Sequence, residues 1–364
     1  MTNKETICFF NSTKSWGGGE KWHLEMALAL FEKGYKVLII TSPNSELYKK
    51  VIRTKVPVEC LNVFKFSYLS LKKINRVIAF YKKHNVKVVV TNSSEDMKLG
   101  GIAAKKNNLK RIIYRRGSAI PIKNSFINRY FFKSVVTEIL TNSEATKDTI
   151  NINNANLFPK EKITVIPNGI NIFEFEDKDD YQLHRKKGNK LILGNLGRMV
   201  YQKNQEFLIA MAVELIKRNI DFKLLIGGNG KLEKLLKNKA KKYNLENQIK
   251  FLGFIKKPKD FMNSIDIFLL PSRWEGFGYV IAEAMLCYKP VIAFDISSNS
   301  QIIESGTNGF LTKFNDVQVF CDKIEYLYNN PNLLIDMGSK GRHKIEKEFD
   351  SKEIQERVIN YLIG

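Results

Sequence analysis

Two glutamates, Glu275 and Glu283, bracket the stretch of this chain with the most to offer chemically. In Pro271-Ser272-Arg273-Trp274-Glu275-Gly276-Phe277-Gly278-Tyr279-Val280-Ile281-Ala282-Glu283, a buried-strand pattern over Ile267–Leu270 feeds a loop that carries Glu275. Gly276, Phe277, Gly278 and Tyr279 then expose backbone N–H groups where a helix should begin, and Glu283 falls about a turn and a half into that helix. The segment therefore offers two carboxylates for sugar or ribose hydroxyls and a nest of amides for an anion. A glycosidase also uses two carboxylates. A phosphate cradle between the acids, however, has no purpose in hydrolysing a plain glycoside.

Three further glycine-bearing loops follow apolar runs. In Gly197-Arg198-Met199-Val200-Tyr201-Gln202-Lys203-Asn204, Arg198 and Lys203 flank one turn ahead of a helix over Gln205–Lys217 and offer two cations to a diphosphate. Fixed positive charge there stabilises a nucleoside diphosphate as it departs as well as when it binds. Gly227 and Gly228 close the strand-like run Leu224–Gly227 with a turn that lets a base or ribose lie against backbone; a plain strand-to-helix turn explains them equally well. Trp16-Gly17-Gly18-Gly19-Glu20 opens into a helix over Lys21–Phe31, its glycines clearing room for a ligand at the helix N-terminus or simply making a turn. His23 beside it is more often a helix residue at rest than a catalytic group.

Loops of this kind need strands behind them. Short apolar runs alternate with amphipathic stretches from end to end, which predicts an α/β fold with parallel sheets. Expected strands are Ile7–Asn11, Lys36–Thr41, Val86–Thr91, Arg111–Tyr114 and Glu138–Thr141 in the first half. Leu191–Leu196, Phe222–Gly227, Ile249–Gly253, Ile267–Leu270 and Pro290–Phe294 are expected in the second. At 364 residues two domains are expected, with a cleft between them as the default site. They are placed at 1–170 and 190–350, joined by a charged linker over 171–189, with a last helix over 351–364 that can pack back on the first domain.

The formal net charge is +22, and it is lopsided. Residues 1–170 carry 29 Lys and Arg against 12 Asp and Glu. Either codon bias in a chain rich in Lys, Asn and Ile or attraction to an anionic membrane or phosphate-bearing acceptor accounts for this. Aromatic and basic side chains mix in Phe64-Lys65-Phe66-Ser67-Tyr68 and across Phe126–Lys133. No apolar run is long enough to span a bilayer, and no signal-peptide layout is seen at the start, so a cytoplasmic protein, peripheral on the inner membrane face, is expected. Cys8, Cys60, Cys287 and Cys321 lie too far apart in sequence for a zinc motif and read as reduced core residues.

Taken in order, these segments resemble the retaining GT-B glycosyltransferases with the Glu-x7-Glu signature, the family 4-like and group 1 transferases. The likeness extends to Thr141-Asn142-Ser143-Glu144, Val165-Ile166-Pro167-Asn168-Gly169-Ile170, Phe251-Leu252-Gly253-Phe254 and Asn308-Gly309-Phe310-Leu311. It implies two Rossmann-like domains and transfer from a nucleotide-diphosphate sugar to a glycan or lipid-linked acceptor, in cell-surface polysaccharide or lipopolysaccharide synthesis. No metal and no further cofactor are implied, and no Asp-x-Asp motif follows a strand. By the same resemblance Arg198 and Lys203, with Gly197, hold the diphosphate, Glu275 addresses the transferred sugar and Glu283 the ribose. Gly276–Tyr279 line the donor pocket with Gly227 and Gly228, and Gly18, Gly19, Glu20 and Arg116 lie on the acceptor side. Many relatives carry a histidine after a late strand of the first domain; here the matching stretch reads Tyr114-Arg115-Arg116-Gly117, with Arg116 as a substitute cation.

Two other functions fit the composition less well. A sugar-nucleotide 2-epimerase shares the architecture, but the joint pattern of Arg198, Lys203, Glu275 and Glu283 favours transfer. A nucleic-acid binder suits the isoelectric point near 9.6, yet no motif for RNA or DNA is present, so no nucleic-acid partner is expected.

Overall fold

The computed structural model describes residues 5–176, 190–296 and 298–364. The chain divides into two compact units, Met1–Asn168 together with Lys352–Gly364, and Gly169–Ser351. Each is built on one parallel sheet of the doubly wound kind.

In the first unit the strands are β1 (Thr6–Asn11), β2 (Lys36–Thr41), β3 (Val58–Cys60), β4 (Val86–Thr91), β5 (Arg111–Arg116), β6 (Glu138–Thr141) and β7 (Ile163–Val165), in the order β3-β2-β1-β4-β5-β6-β7. All six neighbouring pairs are parallel. Ile7, Phe9, Val37, Ile39, Val88 and Val90 fill the core on one face. Their sequence neighbours Cys8, Phe10, Leu38, Ile40 and Val89 fill it on the other. Alternate residues of a strand point to opposite faces, so a sheet covered on both sides reads as an unbroken apolar run.

The second unit holds β8 (Leu191–Leu196), β9 (Phe222–Gly227), β10 (Ile249–Gly253), β11 (Ile267–Leu270), β12 (Val291–Phe294) and β13 (Gly309–Thr312), in the order β10-β9-β8-β11-β12-β13. Here the expectation of five strands per domain needs correction to seven and six. The three extra strands, β3, β7 and β13, are sheet edges of three or four residues. An edge strand has one neighbour, and at three or four residues it leaves little pattern to read; the five-residue edge β10 was expected with the bounds it has.

The expected linker also needs correction. Ile172–Phe175 is a 3-10 turn whose Ile172 and Phe175 are buried in the core of the second unit; residues 177–189 lie outside the described residues. The helix Ser351–Ile363 belongs to the first unit from Lys352 onward. Ile354, Val358, Ile359 and Leu362 place one stripe of it in that core. Its C-terminal carbonyls are capped by Arg111, which donates to Tyr361 O at 2.8 Å and Leu362 O at 2.9 Å. The same guanidinium grips Glu138 in two bonds, of 2.8 and 2.9 Å. Among the described residues no helix is long and apolar enough to cross a membrane.

Arg111 thus ties β5, β6 and the last helix together. Arg111→Ala is expected to lower the unfolding midpoint of the first unit, costing about 2 kcal/mol in the loss of a half-buried bidentate pair and two carbonyl bonds. Calorimetry checks this, and an unchanged midpoint would show that the helix is held by its apolar stripe alone.

Candidate functional site

The carboxyl ends of β8, β9 and β10 are tied together by backbone. Gly197 N donates to Gly227 O at 3.0 Å, Met199 N to Asn229 O at 2.9 Å and Gly228 N to Gly253 O at 2.6 Å. Gly228 has φ +117°, and a Cβ there would sit 2.0 Å from Gly197 O. The glycine turn after β9 is thereby explained by chain packing: two loops approach so closely that neither strain nor space allows a side chain.

On this frame Lys203 ends a 3-10 turn, Tyr201–Lys203, and is followed by Asn204 in the left-handed region at φ +53°. Lys203 Nζ lies 2.7 Å from Glu275 Oε1, with the two side chains 14% and 7% exposed. The structure therefore brings together the two residues expected to serve phosphate and sugar separately, and pairs them with each other. Withdrawing both charges from water costs several kcal/mol per ion, so such a pair is a poor stabilising device. It holds an ammonium and a carboxylate in fixed positions, each with hydrogen-bonding capacity left for a ligand: further N–H donors on Lys203 and the second oxygen of Glu275.

Backbone, amide and guanidinium contacts around the pair fix its register. Arg273 N donates to Gln202 O at 2.8 Å and Gln202 Nε2 to Trp274 O at 3.0 Å. Arg273 Nη2 reaches Asn204 Oδ1 at 3.0 Å, while Asn204 Nδ2 donates to Asn315 Oδ1 at 3.2 Å. The Arg273 guanidinium lies 4.3 Å from the Tyr201 ring centroid. Residues 201–204 and 273–275 are zipped side by side, so neither Lys203 nor Glu275 can turn independently. Sequence reading singled out neither Arg273 nor Asn204; the asparagine at a predicted helix entrance was the only available signal.

Beyond Glu275, Phe277 is turned into the core against Phe349 and Tyr279, leaving its amide to the nest. Gly278, at φ +84°, is the N-cap of the helix Tyr279–Leu286. That start places Glu283 in the second turn, where it lines a cavity of about 410 Å³ with Phe175, Lys256, Lys257 and Asp260. Lys256 and Lys257 were not singled out from the sequence, and lie three and four residues beyond the carboxyl end of β10. Arg198 is exposed, and its guanidinium finds no carboxylate among the described residues.

In the first unit, the glycine loop is a helix start. The helix runs Gly18–Glu32, so Gly18, Gly19 and Glu20 form its first turn, a correction to the expected start at Lys21. Glu20 is buried and accepts bonds from Asn11 Nδ2 at 3.3 Å and Asn92 Nδ2 at 3.2 Å. A Cβ on Gly19 would lie 2.8 Å from the Asn92 amide. Glu20 therefore joins the ends of β1 and β4 to the helix. Arg116 is the last residue of β5, a strand position where a loop was expected, and its guanidinium turns back to the Ile120 carbonyl. Arg115 points the other way, bonding Asn168 Oδ1 at 3.0 Å and stacking on Trp22. Among the described residues no cluster of three or more His, Cys, Asp and Glu side chains could hold a metal ion.

His23 is fully buried between Phe9 and Trp22, and neither ring nitrogen has a hydrogen-bond partner among the described residues. Burial, then the Arg115 charge, hold its pKa well below the usual histidine range. It is a neutral core residue.

The chain matches known proteins along both units. Residues 176–344 match the family model described as Glycosyl transferases group 1, and residues 16–173 match Glycosyltransferase Family 4. An uncharacterized glycosyltransferase of Methanocaldococcus jannaschii is 31% identical, over 94% of this chain and 92% of its own. The UDP-Gal:alpha-D-GlcNAc-diphosphoundecaprenol alpha-1,3-galactosyltransferase of Escherichia coli is 27% identical, over 81% and 79%. Among solved structures, Anabaena HepE in complex with UDP and glucose superposes with a TM-score of 0.82 at 21% identity, covering 98% of both chains.

Two outcomes follow from the geometry. The unfolded His23 imidazole takes up a proton below about pH 6.5 whereas the folded one does not, so stability is lost as pH falls through that value; His23→Phe is expected to flatten this part of a Tm-against-pH profile. Arg273→Ala is expected to speed hydrogen exchange at the Lys203 amide by about tenfold or more, and the same change made in Asn204→Gly to add much less. Independent, additive effects would refute the zipper.

Proposed function

The chain belongs to the group 1 glycosyltransferases, and on that premise we propose a retaining, metal-independent transferase that moves a sugar from a nucleotide-diphosphate donor to a glycan or lipid-linked acceptor. The acceptor belongs to cell-surface polysaccharide or lipopolysaccharide synthesis, with the first unit in peripheral contact with an anionic membrane. The observation that carries the donor reading is the buried Lys203–Glu275 pair at 2.7 Å, set beside the left-handed Gly278 at a helix start. A diphosphate needs cations and amides, and a sugar needs a fixed acceptor for its hydroxyls; this loop pair supplies both.

In the reaction the bond from the sugar's anomeric carbon to the phosphate oxygen breaks, and its electron pair leaves on the diphosphate. Lys203, Arg198 and the amides of Gly276–Tyr279 meet that growing charge. The acceptor hydroxyl forms the new bond to the anomeric carbon, and its proton passes to the departing phosphate. Glu275 fixes the sugar through its hydroxyls, and Glu283 takes the ribose. On the acceptor side stand Gly18 and Gly19, positioned by Glu20, with Arg116 at the end of β5. The E. coli relative, named for a UDP-galactose donor and a diphosphoundecaprenol-linked acceptor, supports the donor and acceptor classes, and HepE with UDP and glucose supports the donor class.

A panel of nucleotide sugars with lipid-linked acceptors, run with excess chelator and read by nuclear magnetic resonance at the anomeric proton, tests the reading. The product should keep the donor's anomeric configuration, and the rate should survive the chelator. Lys203→Ala and Glu275→Ala should each lower kcat by about a hundredfold or more, with the fold intact by circular dichroism. Wild-type rates in either variant would contradict the assigned roles; an inverted product or loss of activity with chelator would contradict the mechanism.

A further inference from the structure

We propose that one surface of the first unit, formed by the segment after β3 and the helix Phe126–Ser134, seats on an anionic lipid bilayer. The two pieces are adjacent. Tyr68 turns inward and meets Phe131 edge-on at 5.7 Å, while Phe131 and Phe132 anchor the helix in the core. What remains outside is apolar: Phe126 is 81% exposed, Leu69 67%, Phe64 61% and Phe66 59%. Phe126 and Tyr130, four residues apart on one helix face, are both outward. Scattered exposed hydrophobics need no explanation, but these are grouped on two touching elements.

The charge nearest them is basic. Residues 61–83 contain six basic residues and no acidic one, with Lys83 paired to Glu59; residues 105–134 contain nine and none, of which Arg111, paired with Glu138, and the buried Arg115 serve the fold and seven remain. Lys73 Nζ lies 4.6 Å from the Phe64 ring, Lys65 Nζ 5.3 Å from Phe66, and Lys105 Nζ 5.9 Å from Tyr130. None of these lysines meets a carboxylate among the described residues. Aromatic rings with ammonium groups at their edges are suited to the headgroup boundary, where rings enter the acyl region and lysines face lipid phosphates. A nucleic acid would use the lysines and the aromatic rings but has no use for Leu69 and Leu71.

Position adds purpose. In a parallel sheet the loops after β1, β3 and β5 leave from one edge. The surface therefore lies at the edge that also carries the Gly18–Glu20 helix start. An enzyme docked this way keeps its acceptor side at the plane from which a lipid-linked sugar is presented. The inference rests on the proposed function for that purpose only.

Co-sedimentation with vesicles, without any substrate, tests it separately from catalysis. The protein should bind vesicles of phosphatidylcholine with ~30% phosphatidylglycerol, bind phosphatidylcholine alone far less, and be released by about 0.5 M salt. Phe64→Ser with Phe66→Ser, and separately Phe126→Ser, should each lower partitioning by about tenfold at unchanged Tm. Absence of binding to the anionic vesicles would overturn the proposal together with the membrane contact named above, and undiminished binding by both variants would overturn the assigned surface; neither touches the sugar-transfer reading.

Discussion

A lysine and a glutamate that exclude water from each other are the feature on which the site of this protein depends. Lys203 and Glu275 come from loops 72 residues apart in sequence, and each would be better solvated alone. They meet because β8 and β11 are neighbours in the second sheet, so that the turns leaving their carboxyl ends lie side by side. The desolvation cost of the pair is borne by the contacts around it: backbone and amide bonds between Gln202 and Arg273–Trp274, and the Arg273 bond to Asn204. Fixed charge of this kind suits a reaction in which negative charge moves from a glycosidic bond onto a leaving diphosphate, since nothing has to reorganise as it arrives.

The first unit repeats the device without a cation. Glu20 is held by two asparagine amides from the ends of β1 and β4. Nearby, Asp96 accepts from Ser12 N at 3.1 Å and Ser93 N at 2.9 Å while fully buried, and burial raises its pKa. Both carboxylates tie helix starts to strand ends at the switch point between β1 and β4, where strand order reverses. Their partners are neutral, which marks them as framework for neighbouring groups.

Central strands were legible because both faces are covered. Lys36–Thr41, Val86–Thr91 and Leu191–Leu196 run between the same residues in the sequence reading and in the structure. The edges β3, β7 and β13 were not, since a half-covered strand of three or four residues carries no unbroken apolar run. At the site, glycine spacing and carboxylate spacing pointed to the loops after β8 and β11, which the structure brings side by side. Pairing was beyond reach: whether Lys203 faces solvent, phosphate or Glu275 is decided by strand order, and strand order leaves no mark within either loop. Arg273 was invisible for the same reason, and the buried Ile172 and Phe175 were hidden within a charged stretch that read as linker.

Binding of UDP to the wild type and to Glu275→Gln, followed by titration calorimetry, tests the central claim most directly. If the lysine is a diphosphate ligand held in waiting by the carboxylate, neutralising Glu275 removes both a competitor and a repelling charge, and the variant should bind UDP at least as tightly as the wild type. A loss of affinity by about tenfold or more, with the fold unchanged, would contradict the account.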